Sequence, residues 1–230
     1  MFDAPNAYAK PATHLEYIVE IEKPNAAKVK EKAFEYMDQL EGWCSKEKAA
    51  VLIDIVLKTK PQTIVEIGVF GGKSLVPMAY ALKVNGTGQI FGIDPWDSLA
   101  SIQGTMDESN KSWWGSLDHE AIQIGLVNKI NAFKLQNQIE LIKSTSEDAP
   151  LIYDIDILHV DGNHSDETSY LDVIKWVPLM NSGGWIIFDD MSWQEEGIST
   201  TSRAVEWLNA NCIKFAEFSD ICLWGIWLKP

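Results

Sequence analysis

From Thr63 onward the chain repeats one unit: a run of four to six mostly apolar residues, then a stretch of helical periodicity. The runs are Thr63-Ile64-Val65-Glu66-Ile67, Ile90-Phe91-Gly92-Ile93, Ile139-Glu140-Leu141-Ile142, Ile155–Val160 and Trp185-Ile186-Ile187-Phe188. Helices are expected between them over 74–84, 117–133 and 168–180. Strands apolar on both faces and separated by helices build a mostly parallel sheet covered on both sides. The expected fold class is therefore α/β and doubly wound. A helix over 201–211 and two last strands, 214–218 and 222–228, complete it.

The segment ahead of this repeat reads differently. Residues 1–24 carry Pro5, Pro11 and Pro24 and are expected to form an irregular arm. Ala33, Phe34, Tyr36, Met37 and Leu40 then recur at helical spacing until Gly42. Ser45 reads as an N-cap for a second helix that stops near Lys60-Pro61. The expected division is an arm and cap helix over 1–44 and a main domain over 45–230.

Composition limits the partners. The 33 acidic residues outnumber the 19 lysines and arginines, giving a net charge of -14, and Arg203 is the single arginine. Such a surface repels phosphate backbones and anionic lipid, so neither nucleic acid nor membrane is expected as a partner. No apolar run nears the length of a spanning helix, and the start has no basic and apolar leader pattern. Cys44, Cys212 and Cys222 show no metal-ligand spacing and suit a reducing compartment, hence the cytoplasm. A homo-oligomer stays open.

In open α/β sheets ligands bind outside the carboxyl ends of the strands. Those ends are closed here by Gly68, Asp94, Ser144, Asp161 and Asp189-Asp190. The first closure is a turn, Glu66-Ile67-Gly68-Val69-Phe70-Gly71-Gly72. Gly68 permits a tight turn, and Gly72 permits close approach to the following helix. A dinucleotide turn has a middle glycine that leaves room for pyrophosphate. Phe70 stands there instead, and the acid Glu66 disfavours an anion. A cationic or zwitterionic ligand fits better, and a glycine turn without any ligand is the plain alternative. Asp94 closes the next strand, 22 residues beyond Gly72, where a carboxylate can accept from a ribose diol.

On these residues the chain resembles class I S-adenosylmethionine-dependent methyltransferases. The resemblance rests on residues 65–72, on Gly92-Ile93-Asp94-Pro95-Trp96 and on the segment 159–190. It implies a Rossmann-like seven-stranded sheet of order 3-2-1-4-5-7-6 with the last strand antiparallel. It also implies that the glycine turn with Glu66, Gly68, Phe70 and Gly72 holds the methionine part of S-adenosylmethionine. Asp94 would take the ribose, Pro95 and Trp96 would flank the adenine, and Ser146 would contact it from the third strand.

Asp161-Gly162-Asn163-His164 closes one strand and Asp189-Asp190 the next. Neighbouring strands lie about 4.8 Å apart, so three carboxylates are expected to converge. Charges that close need protonation or a cation, and hard oxygen ligands suit a divalent metal, magnesium foremost. This arrangement resembles metal-dependent O-methyltransferases of the catechol type, and more closely those acting on sugars of macrolide and aminocoumarin products. That resemblance implies Asp161, Asp189 and Asp190 as metal ligands, with Asp161 and His164 catalytic and His164 the candidate base. The expected acceptor is a hydroxyl of a small molecule or sugar. A structural His164, and acids that merely face water, are the plain alternatives. Trp96, Trp113 and Trp114 bracket a long polar loop, 95–116, expected to act as a lid; loop packing accounts for them equally well. A nicotinamide-dependent oxidoreductase, or a non-catalytic S-adenosylmethionine-binding protein, remain alternative readings.

Overall fold

The computed structural model describes residues 24–230, so residues 1–23 of the expected arm lie outside it. Helix α1 is Pro24–Met37 and α2 Lys46–Thr59. The Ser45 side chain accepts from the Lys48 N–H, and Lys60 ends α2 in a left-handed conformation ahead of Pro61. The alternation then runs β1 Thr63–Ile67, α3 Leu75–Asn85, β2 Gln89–Asp94, α4 Ser98–Ser101, α5 Glu108–Ser116, α6 His119–Ala132 and β3 Ile139–Lys143. After these come β4 Ile155–Val160, α7 Asp166–Trp176, a 3-10 turn Val177–Leu179, and β5 Met180–Phe188. A hairpin, β6 Gln194–Glu195 and β7 Ile198–Ser199, precedes α8 Ser202–Asn211, β8 Ile213–Ser219 and β9 Leu223–Leu228.

Seven strands form one sheet in the order β3-β2-β1-β4-β5-β9-β8. The first five are parallel, and β9 runs antiparallel to both of its neighbours. With the small hairpin set aside this is the expected order. Side chains alternate between two cores. Ile64, Ile90, Ile157, Ile187 and Ile226 face α1, α2, α3 and α6, while Val65, Leu158, Val160, Phe188 and Trp227 face α7 and α8. Trp176, Trp224 and Trp227 are fully buried, whereas Trp185 and Trp207 pack at core edges.

Three local differences from the sequence reading stand out. The loop 95–116 carries the local helix expected of it, as α4 and α5, and the difference lies only in their extent, neither burying a residue. The helix expected over 168–180 ends at Trp176, where the 3-10 turn carries Pro178. Strand β5 starts at Met180, ahead of the expected 185, and takes in Gly183 and Gly184 with a register irregularity opposite β4. Among the described residues no helix is long and apolar enough to cross a membrane.

The register decides where the site lies. Ile67 pairs with both Ile93 and Val160, and Val160 with Phe188. The residues just beyond these pairs, Gly68, Asp94, Asp161 and Asp189, therefore share one edge of the sheet.

Candidate active site

Gly68 has a φ of 82°, and a Cβ there would fall 2.0 Å from the Asp161 carbonyl oxygen. No other residue fits where the β1 and β4 loops meet. Phe70 and Trp96, with φ of 50° and 40°, are left-handed without being glycine. Asp94 holds both turns. Its Oδ2 accepts from the Val69 and Phe70 N–H groups at 3.0 and 2.9 Å, and its Oδ1 from the Trp96 N–H at 2.7 Å. Burial raises the Asp94 pKa, opposed by these three bonds. The residue expected to bind ribose is thus also the clamp that keeps two strained turns in place.

Trp96 is placed otherwise than expected. Its indole N–H donates to the Phe70 carbonyl at 2.9 Å, and only 3% of the residue is exposed. It is a core side chain rather than an open face beside a ligand, while Pro95 is half-buried at the strand end. Ser146 donates to the buried Asp172 on α7, and Lys175 on the same helix binds the Ser146 and Glu147 carbonyls. Helix α7 therefore staples the loop after β3.

Glu66 is fully buried, and burial pushes its carboxyl up to about 8 against the Ser74 hydrogen bond and the Lys48 charge. Ser74 donates to Oε1, while Oε2 has no partner among the described residues. An unpartnered carboxyl oxygen at this depth, two residues before Gly68, is a place for a polar group of a ligand, such as an ammonium.

The three acids do not gather as one cluster. Asp189 turns inward, where its Oδ2 pairs with the Lys48 ammonium and lies 3.2 Å from His159 Nε2. Lys48 Nζ also lies 3.0 Å from that ring nitrogen. Burial, with the Lys48 charge, pushes His159 down to about 3, so the ring is neutral. Asp190, left-handed at φ 52°, turns the other way and meets His164 Nε2 at 3.1 Å. Asp161 is shared. With His159 and Asp189 it forms an inner group, and with His164 and Asp190 an outer one; in each, three potential ligand atoms lie within 4.8 Å of one another. Lys48 gives Asp189 a counter-charge on the inner side, so the three acids divide between two groups that share Asp161.

Burial lowers the His164 pKa, but the Asp190 hydrogen bond and the charges of Asp190, Asp161 and Glu195 outweigh it, so the net shift is upward. For Asp190 burial works upward, and the His164 bond and charge reverse it, leaving the carboxyl below its ordinary value.

Trp113 and Trp114 on α5 meet Trp43 at ring distances of 5.5 and 5.9 Å, and Trp114 meets Phe70 at 5.8 Å. Helix α5 thus rests on the glycine turn. Lys48 and Trp43 were missed by the sequence reading. For Lys48 a signal existed, since it shares the buried stripe of α2 with Leu52 and Ile55, where a lysine is out of place.

A family model described as a methyltransferase domain matches residues 65–191, the span from β1 through the Asp189-Asp190 pair. The chain belongs to the methyltransferase domain family. No curated protein matches this methyltransferase chain. Among solved structures it is similar to the O-methyltransferase TomG from Streptomyces achromogenes, involved in tomaymycin synthesis and solved with SAM. Identity is 16% over 93% of this chain and 94% of that one, with a TM-score of 0.58. An O-methyltransferase from Bacillus cereus in complex with SAH is 14% identical over 94% and 98% of the two chains, TM-score 0.60. The O-methyltransferase NovP is 16% identical over 80% and 78%, TM-score 0.56. At these identities the likeness is one of fold. The same family assignment sets aside the nicotinamide-dependent reading.

Proposed function

We propose that this methyltransferase moves the methyl group of S-adenosylmethionine to a hydroxyl oxygen of a small molecule or sugar, assisted by a divalent cation, magnesium first. The observation that carries the reading is the outer group: Asp161, His164 and Asp190, part-exposed at the ends of β4 and β5, one strand from the glycine turn. The O-methyltransferases TomG and NovP share the fold.

The residues fit both groups. The unpartnered Glu66 oxygen and the cramped Gly68 turn suit the charged methionine end of the donor. Asp161 and Asp190 offer two carboxylates, and magnesium characteristically takes one or two of these and keeps several waters. Asp189 leaves the expected ligand set because Lys48 neutralises it. A bound divalent cation lowers the pKa of an oxygen it holds. His164, oriented by Asp190, takes the acceptor proton. The glycine turn and the β4 loop, locked by the bonds from Gly68 N to Ile93 O and from Asp161 N to Ile67 O, hold donor and acceptor in line. The division at 44/45 is part of this reading, with 45–230 as the catalytic domain.

The test is methyl transfer to a panel of sugar and phenol acceptors with and without EDTA. Transfer abolished by EDTA, with donor binding retained, supports the proposal. Full activity in EDTA removes the metal and leaves His164 or Asp161 as an unaided base. Donor binding without transfer to any acceptor favours the non-catalytic reading.

A further inference from the structure

Glu195 is a buried carboxylate with no part in the chemistry proposed above, and 1% of it is exposed. Its donors come from two places. From the lid, the Asp107 N–H reaches Oε2 at 2.7 Å and Asn110 Nδ2 reaches Oε1 at 2.9 Å. From its own hairpin, the Trp193 indole N–H reaches Oε1 at 2.7 Å. The clasp is reciprocal, because the Glu196 N–H donates to Asp107 Oδ1 at 2.7 Å. Glu196 and Gly197, both with positive φ, form the two-residue turn that presents that N–H.

Trp193 carries the contact onward. Its ring lies 4.9 Å from the His164 ring, and its backbone N–H is bound to the Asp190 carbonyl at 2.9 Å. One buried carboxylate thus binds both the root of α5 and the indole that flanks the His164 imidazole. A second strand of contact runs beside it, where Asn163 Nδ2 donates to the Gln103 carbonyl at 3.0 Å. Because α4 and α5 bury no residue of their own, the lid has little apolar anchorage apart from Met106 and the aromatic contacts at its far end. Segments so held open at low cost.

We propose that Glu195 is a positioning residue that couples docking of the lid, residues 107–116, to the orientation of His164. With the lid docked, Asp107 and Asn110 fix the carboxylate, the carboxylate fixes the Trp193 indole, and the indole wall sets the imidazole plane. With the lid away, Glu195 loses two of its three donor groups and Trp193 is released. The site is then complete only when covered. The inference rests on the reading of His164 as the base.

The experiment uses the full chain with S-adenosylhomocysteine present, well below its melting temperature. Two signals are followed, hydrogen exchange at 107–116 and the ring NMR resonance of His164, in the parent, Glu195→Ala and Trp193→Phe. Phenylalanine keeps a ring beside His164 but removes the N–H that Glu195 holds. Glu195→Ala is expected to speed exchange at Asp107 by about tenfold or more, to move the His164 resonance, and to lower kcat with little change in the donor KM. Trp193→Phe is expected to move the His164 resonance while leaving lid exchange near the parent value. Faster lid exchange in Glu195→Ala with an unmoved His164 resonance overturns the coupling, as does a moved resonance with unchanged lid exchange. Both signals are read without turnover, so a parent protein that transfers no methyl group refutes the proposed function and leaves the coupling separately testable.

Discussion

Replacing Lys48 with methionine exposes how much the core depends on one internal cation. The Lys48 and Asp189 side chains are 4% and 3% exposed, and the pair lies against neutral His159. Methionine keeps the length of the stem but leaves the Asp189 carboxylate buried without its counter-charge. Breaking a buried pair from one side costs about 3–5 kcal/mol. For a chain of this size that is roughly 2–4 °C in Tm per kcal/mol, hence a drop on the order of 6–20 °C. Urea denaturation at pH 7, with a matching thermal scan, measures it. The double variant Lys48→Met/Asp189→Asn removes both charges and is expected to recover much of the loss, since the penalty lies in the stranded carboxylate. A loss below about 1 kcal/mol, the range of an exposed pair such as Lys32–Glu35, refutes the assignment of Lys48 as the internal counter-ion.

Three further outcomes are expected. Asp172 is pushed up to about 7 by burial, against the Ser146 bond and the Lys175 charge. Between the ordinary carboxylate value of 3.8 and about 7 the native state keeps a proton that the unfolded chain has lost, so this group's contribution to stability falls as pH rises through that window. Asp172→Asn should flatten this fall in denaturant midpoints taken at acid and at mildly alkaline pH; parallel curves for parent and variant would count against it. Gly68→Ala meets the Asp161 carbonyl head-on at positive φ, so it should cost well beyond the ~1 kcal/mol of an ordinary glycine replacement, read as lost Tm or lost soluble yield. His164→Ala should lower kcat while sparing magnesium affinity measured by calorimetry, whereas Asp161→Asn should weaken that affinity.

Much of the fold could be read from the chain because buried parallel strands are locally explicit. Residues 185–188 are a continuous apolar run, Ile155–Val160 is a mostly apolar one broken by Asp156 and His159, and each closes on an acid. The sheet order came from the family resemblance, since no periodicity encodes which strand lies beside which. The hairpin 194–199 escaped notice because its strands are two residues long and carry Gln194 and Glu195. In the site, the positions at strand ends were legible and their partners were not. Asp189 and Asp190 are adjacent in sequence, yet the positive φ of Asp190 sends their carboxylates apart. Lys48, which claims one of them, lies 141 residues away. Asp94 was visible as a strand-closing acid, but its three backbone donors depend on the strained turns folding around it.

The central claim is that the glycine turn at Gly68, with Glu66 behind it, takes the methyl donor. Isothermal titration of the parent protein and of Glu66→Gln with S-adenosylhomocysteine, and of the parent with NAD, tests it most directly. The account predicts binding of S-adenosylhomocysteine in the micromolar range (about -8 kcal/mol), weaker binding to Glu66→Gln, and no heat from NAD. Binding of NAD with none of S-adenosylhomocysteine would contradict it.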